Sequence, residues 1–293
     1  MFTNTDRADH SRPRRLDRVT IARPGGNDTA IVWDRVPRGG QQDMARRIQE
    51  NYPGVEQVMF VEDGPYGRMT GGEFCGNATR SLGYLLLGRS HGSVTFGVSG
   101  ASKPVTVVVD DRGARTSIPA YAALDSVQHD PATGAHRVDI EGISFLVDRT
   151  DGVLGKRIAG EMHAKKRAVL RILEESGLAA EKAASGVILL EDAGENGVDA
   201  LHPYVYVRDT KTLYYETACG SGTTAAGLVA AKTAGRSVLN RAFRQPSGMD
   251  LIVSVERDGT AFLNASVGGP VEIVFDGPMY LADRAFDSVA PSP

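Results

Sequence analysis

Apolar and polar residues follow one another in short runs along most of this chain, and the runs read as strands more often than as helices. Residues 19–22 and 29–33 are two such runs, and the turn sequence Pro24-Gly25-Gly26-Asn27-Asp28 between them predicts a hairpin. The pattern then predicts a helix over 41–49, a strand over 56–62, and a glycine-rich approach over 64–72 that leads to Cys75. An apolar run of helical character covers 82–87, and strands are predicted over 93–98, 105–110 and 116–119. In the second half the pattern predicts a strand over 143–148, one long helical stretch within 155–176, and strands over 187–191, 202–207 and 212–216. Cys219 and a second apolar helical run over 225–231 follow, and strands over 251–255, 261–267 and 269–275 close the chain. The element order repeats loosely, as an old internal duplication would. Turn residues cluster over 131–137, so two units are expected, 19–134 and 135–284, after a disordered polar leader over 1–18 and before a tail over 285–293. A single domain with a long mixed sheet is the alternative.

The two cysteines occupy matching places in this repeat. Cys75-Gly76-Asn77-Ala78-Thr79 and Cys219-Gly220-Ser221-Gly222-Thr223 share Cys, Gly and Thr at the same offsets, and each precedes a helical run. Small residues after each cysteine let the backbone approach a ligand. A helix N-terminus offers unpaired N–H groups and partial positive charge, which bind a carboxylate and activate a thiol. Thr79 and Thr223 fall in the first turns, where a hydroxyl can bind a carboxylate or help to cap. Two thiols facing each other across a substrate suit a reaction that takes a proton from one face of a carbon and returns one to the other. Glu73 and Glu216 stand two and three residues before the cysteines, and Glu216 is the better placed for a substrate amine.

Composition narrows the classes. Hydrophobic content of 41% with 24% charged residues is that of a soluble globular protein, and a net charge of −3 gives no electrostatic case for nucleic acid or anionic membrane. No apolar run approaches the ~20 residues that span a bilayer. Two cysteines are no disulfide framework, so the reducing cytoplasm is the expected compartment. Neither cysteine has a His or Asp partner at ligand spacing, so no metal site is expected. The six histidines form no triad, which argues against a serine hydrolase despite Gly220-Ser221-Gly222.

The segments Gly72-Glu73-Phe74-Cys75-Gly76-Asn77-Ala78 and Ala218-Cys219-Gly220-Ser221-Gly222-Thr223 resemble the paired signatures of the diaminopimelate epimerase fold, and Gly26-Asn27-Asp28 matches that family's early Gly-Asn-Asp segment. The resemblance covers about residues 19–275. Within the superfamily the chain is most similar to the histidine racemases of staphylopine-type metallophore pathways, on Glu56-Gln57-Val58, the two cysteine segments, Pro203-Tyr204-Val205-Tyr206-Val207 and Gln245-Pro246-Ser247-Gly248. This resemblance implies an α+β fold of two pseudo-symmetric domains, each a curved, mostly antiparallel sheet around a central helix, with the active site in the cleft between them. It implies an amino-acid racemase or epimerase that needs neither pyridoxal phosphate nor metal, with Cys75 and Cys219 as interchanging base and acid. Asn27 and Asn77 would meet polar groups of the substrate. The backbone N–H groups of Gly76, Asn77, Gly220 and Ser221 would hold its carboxylate, and Glu56 would lie at its side-chain end. Two departures bear on the substrate. The epimerases' Glu-Arg pair before the second cysteine is replaced by Arg208-Asp209-Thr210-Lys211, and Glu141-Gly142-Ile143-Ser144 stands where they carry Gly-Asn-Pro. Histidine or another basic amino acid is therefore expected, rather than diaminopimelate. A same-fold isomerase acting on diaminopimelate or a proline-like substrate, a non-catalytic amino-acid-binding protein and a homodimeric assembly stay open.

Overall fold

The computed structural model describes residues 14–131, 133–193 and 197–282. Strands β1 (Arg14–Pro24) and β2 (Asp28–Val32) form the expected hairpin, in register from Val19 opposite Val32 to Ala22 opposite Thr29. Helix α1 (Arg38–Asn51) carries the chain back, so that β3 (Val55–Glu62) lies parallel to β2. Strand β4 (Tyr66–Met69) returns antiparallel to β3, and helix α2 (Gly76–Leu86) begins directly after Cys75. Strand β5 (Gly92–Val98) lies parallel to β4, and β6 (Val105–Asp110) and β7 (Gly113–Ser117) complete a meander. A short strand, β8 (Val127–His129), ends the half.

The second half repeats this route. Strands β9 (His136–Ile140) and β10 (Ile143–Arg149) form a hairpin. Helices α3 (Val153–Arg157), α4 (Met162–Glu175) and α5 (Leu178–Glu181) carry the chain to β11 (Ala184–Glu191), which is parallel to β10. Strand β12 (Ala200–Val207) runs antiparallel to β11, β13 (Thr212–Tyr215) folds back on β12, and helix α6 (Gly220–Ala234) begins directly after Cys219. Strand β14 (Val238–Arg244) meets β12 in parallel, and β15 (Asp250–Arg257) and β16 (Phe262–Gly269) form the meander before β17 (Val271–Leu281).

Three strand pairings tie the halves together. The last strand of each pairs with the first strand of the other, β8 with β9 and β17 with β1. Strands β7 and β16 pair edge to edge, from Ser117 opposite Ser266 to Ala114 opposite Gly269. Each curved sheet wraps one cysteine-capped helix, and α2 and α6 meet at their N-termini. The face of α6 is apolar almost all round, with Ala225, Ala226, Leu228 and Ala231 buried. Such a helix is stable only inside a core. Glycines set how closely both helices approach their sheets. A methyl group at Gly83 of α2 would lie 2.4 Å from Val107 of β6, and one at Gly227 of α6 would lie 2.7 Å from Val253 of β15. Each glycine stands eight residues after its cysteine.

Part of the expected leader belongs to the fold. Residues 14–18 belong to β1, where they pair with the end of β17 and bury Leu16, so alternation around one apolar residue holds this polar segment in the sheet. The rest of the leader, 1–13, and the tail over 285–293 lie outside the described residues. Among the described residues no helix is long and apolar enough to cross a membrane.

Candidate active site

Each cysteine is the N-cap of its helix, and the two caps share backbone angles and hydrogen bonds. Backbone angles are φ −129°, ψ 111° at Cys75 and φ −131°, ψ 103° at Cys219. Each sulphur accepts the N–H three residues on, Ala78 N at 3.4 Å for Cys75 and Gly222 N at 3.3 Å for Cys219. The threonine at the fifth motif position closes the turn both times. Thr79 Oγ1 donates to the Cys75 carbonyl at 2.7 Å, and Thr223 Oγ1 donates to the Cys219 carbonyl at 2.7 Å. The Cys-Gly-small-small-Thr pattern is therefore a capped first turn. It leaves the N–H groups at the first two helical positions, Gly76 and Asn77 on one side and Gly220 and Ser221 on the other, without intrahelical partners. All four residues line one cavity of about 510 Å³, together with both cysteines, Glu56, Gln57, Glu73 and Glu216. That volume is in the range of small-molecule sites.

Glycine brings the two helix ends together. A Cβ at Gly220 would lie 3.1 Å from Asn77 Oδ1, and one at Gly76 would lie 3.6 Å from the Gly220 carbonyl carbon. Asn77 Nδ2 donates to the Ala218 carbonyl at 2.8 Å, which ties the first turn of α2 to the residue preceding Cys219. Gln245, at the end of β14, holds the other cysteine, accepting the Cys219 N–H at 3.0 Å and donating to Thr223 Oγ1 at 3.1 Å.

A hydrogen-bonded bridge joins the thiols. The Cys75 thiol donates to Gln57 Oε1 at 3.0 Å, and Gln57 Nε2 donates to Glu216 Oε1 at 2.9 Å. Glu216 in turn accepts the Cys219 thiol. The two cysteines thus differ in partner, a neutral amide for Cys75 and a carboxyl group for Cys219. Burial first, then the charge of Glu216, pushes both thiols above their ordinary range. Glu216 is itself pushed up to about 8, mainly by burial, with Glu56 and Glu73 adding to the effect. Burial raises Glu73 to about 7. Glu56 is also raised by burial, but its donors oppose the shift. These are Thr217 Oγ1 at 2.5 Å, Asn27 Nδ2 at 2.9 Å and Thr217 N at 3.2 Å.

The structure therefore gathers Cys75, Cys219, Glu56, Gly76, Asn77, Glu216, Gly220 and Ser221 at one cavity. Two expected contacts are placed elsewhere. Asn27 is fully buried behind Glu56, where it donates to that carboxylate and accepts Thr29 Oγ1 at 3.0 Å. Thr223 is fully buried and spends its hydroxyl on the Cys219 carbonyl, so it shapes the loop and does not line the cavity. Gln57 and Thr217 carry roles that residue type alone does not announce. Gln57 stands beside Glu56 in one of the segments that carry the resemblance, and that adjacency was the available signal. Among the described residues no group of three or more His, Cys, Asp or Glu converges as a metal ligand set.

Solved structures of racemases, epimerases and phenazine biosynthesis proteins share this α+β fold. A probable proline racemase from Agrobacterium radiobacter K84 with bound carbonate matches with a TM-score of 0.60 at 15% identity, over 94% of this chain and 94% of that one. A hydroxyproline epimerase from Agrobacterium vitis with bound trans-4-hydroxy-L-proline matches at 0.58 and 14%, over 92% and 94%. A phenazine biosynthesis protein of the PhzF family from Enterococcus faecalis matches at 0.55 and 15%, over 90% and 99%. At such identities these likenesses show the fold alone. The family follows from sequence: the model of the histidine racemase CntK N-terminal domain matches residues 19–280, and the chain belongs to that family. A histidine racemase of Fusobacterium nucleatum subsp. nucleatum is 28% identical over 284 residues, which span 91% of this chain and 97% of that protein. The protein is an isomerase of the amino-acid racemase class.

Proposed function

We propose that this racemase inverts histidine by proton transfer between two thiols, without pyridoxal phosphate or metal. The observation that carries the reading is the matched placement of Cys75 and Cys219 as N-caps of two helices that open on the same cavity. The substrate carboxylate accepts from the first-turn N–H groups of Gly76, Asn77, Gly220 and Ser221. Its ammonium group pairs with Glu216, and its side chain lies toward Glu56. One cysteine, as thiolate, takes the α-proton and becomes a thiol. The electron pair delocalises into the carboxylate, where the helix N–H groups and dipoles stabilise the added charge. The opposite thiol then gives its proton to the other face and becomes the thiolate. Each turnover leaves the sulphurs with exchanged protonation states.

The raised thiols fit this scheme. A thiolate in so buried and acidic a cavity needs nearby positive charge, and a cationic substrate brings it. Three raised carboxyl groups, Glu56, Glu73 and Glu216, likewise favour a substrate rich in N–H donors over an acidic one. Two unpaired thiols suit a reducing compartment, and the cytoplasm is the proposed location.

The test is chiral chromatography of histidine, and of a panel of other L-amino acids, with wild type, Cys75→Ser and Cys219→Ser. Each variant is expected to fold as wild type and to lose roughly a hundredfold or more in racemisation rate. Wild-type turnover by either variant overturns the two-thiol reading, and a wild type that inverts another amino acid but not histidine overturns the substrate.

A further inference from the structure

Arg80 is the one Lys or Arg that is fully buried among the described residues, and no carboxylate there lies within ion-pair distance of it. Its guanidinium donates through Nη1 to the carbonyls of Gly269 at 2.8 Å and Pro270 at 3.2 Å, while Nη2 has no partner. Helical side chains lean toward the N-terminus. In keeping with that, Nε reaches back one turn to Asn77 Oδ1 at 3.4 Å. Asn77 passes the link on through Nδ2 to the Ala218 carbonyl, next to Cys219. An unneutralised charge is costly to bury. Here it lies beneath the helix ends where negative charge must form during the reaction; burial lowers Arg80 to about 9, which leaves it charged at neutral pH, and a Cys75 thiolate works against that lowering.

We propose that Arg80 is a positioning residue for proton transfer: its charge, brought under the first turn of α2, favours the thiolate at Cys75, and its link through Asn77 holds the two helix N-termini as one positive pole. It touches no reacting atom. The inference rests on the reading of Cys75 as one of the two bases, but it is measured on the thiol itself, apart from turnover. The charged and titratable groups near that thiol are Glu216, Glu73 and, across the bridge, Cys219; all of these oppose a thiolate, and the charge of Arg80, linked to the first turn of α2 through Asn77, has the opposite sign.

The experiment follows iodoacetamide alkylation of Cys75 against pH, resolved by peptide mass spectrometry, in wild type and in Arg80→Met, Arg80→Gln and Arg80→Lys. Removing the charge is expected to move the Cys75 alkylation midpoint upward by about one pH unit and to lower kcat roughly tenfold, with little change in KM. Met and Gln should behave alike, and Lys should stay near wild type. If Gln, which keeps the donors, matches wild type while Lys does not, the role is hydrogen bonding and the proposal fails. It also fails if the midpoint is unmoved, or if neither neutral variant folds, since the residue is then structural. Loss of turnover in Cys75→Ser tests the two-thiol reading separately, because the alkylation shift does not depend on it.

Discussion

At the scale of single residues, the cysteines and their capped turns were legible because their pattern repeats. Their partners were less so. Gln57 and Glu216 act through one another, and sequence shows neither the bridge nor its direction. Asn27 and Thr223 were placed at the substrate by pattern, yet folding spends their polar atoms on Glu56 and on the Cys219 carbonyl. Two predictions belong here. Glu216, pushed up to about 8, and Glu73, pushed up to about 7, hold protons in the folded chain that an unfolded carboxyl has released above about 4.5. The folded state binds more protons, so stability is greatest below that pH and falls as pH rises through about 7 and then 8. The loss is on the order of a few kcal/mol. Thermal denaturation from acid to alkaline pH should show Tm declining across this window, less steeply in Glu216→Gln; a Tm that climbs across it contradicts the assignment. The second prediction concerns Glu56. Gln in its place presents an amide N–H₂ to Asn27 and Thr217, which already donate there. KM for histidine should rise roughly tenfold, with selectivity among side chains relaxed and inversion still measurable. Steady-state kinetics across histidine, arginine and meso-diaminopimelate check this, and efficient turnover of diaminopimelate by the wild type is the contrary result.

At the scale of elements, most strands were read from sequence, but β4, β8, β9 and β14 were not. Strand β4 hides in a glycine-rich segment because its hydrogen bonds to β3 and β5, rather than its side chains, define it. Strand β9 starts at the end of the turn-rich stretch over 131–137, and its place is fixed by pairing with β8 and β10. Strand β14 exposes Leu239, Asn240 and Arg241 and anchors itself mainly by Phe243. The helices after the cysteines begin at once at Gly76 and Gly220, earlier than the apolar runs suggested, because the cysteine side chains cap them. Their glycines give a prediction at this scale. Gly227→Ala gains roughly 1 kcal/mol of helix propensity. It also drives a methyl group to 2.7 Å from Val253, in a strand that cannot easily yield. Overpacking of this kind costs about 1–3 kcal/mol, so the clash should win and Tm should fall by several degrees. A stabilised Gly227→Ala would show that α6 can move off its sheet.

At the scale of the whole molecule, the duplication explains why the site has two faces. Each half supplies a hairpin, a parallel return and a cysteine-capped helix, and the exchanged strands β8 and β17 lock the halves so that the helix ends oppose each other. The first turn of the chain takes part in this joint. Ser247 Oγ donates to the Gly25 carbonyl at 2.7 Å, and Thr217 Oγ1, whose hydrogen goes to Glu56, lies 3.2 Å from the Gly26 carbonyl. A Cβ at Gly26 would sit 2.2 Å from the Ser247 side chain. The Gly-Asn-Asp segment is thus a joint between halves as well as the support of Glu56. The doubled element order was visible in the sequence; the exchange of strands was not, since β17 pairs with β1 across more than two hundred positions and β8 is a three-residue strand without an apolar pattern.

The central claim is that two groups, one on each face, move the α-proton. It is tested most directly by running L-histidine in D₂O to a few per cent conversion, then separating the enantiomers and measuring deuterium at the α-carbon of each. If Cys75 removes the proton and Cys219 returns another, or the reverse, the D-histidine formed should carry deuterium while the recovered L-histidine stays protiated. Equal deuterium in both enantiomers at early conversion would mean that one base serves both faces, and the account of paired thiols would fail.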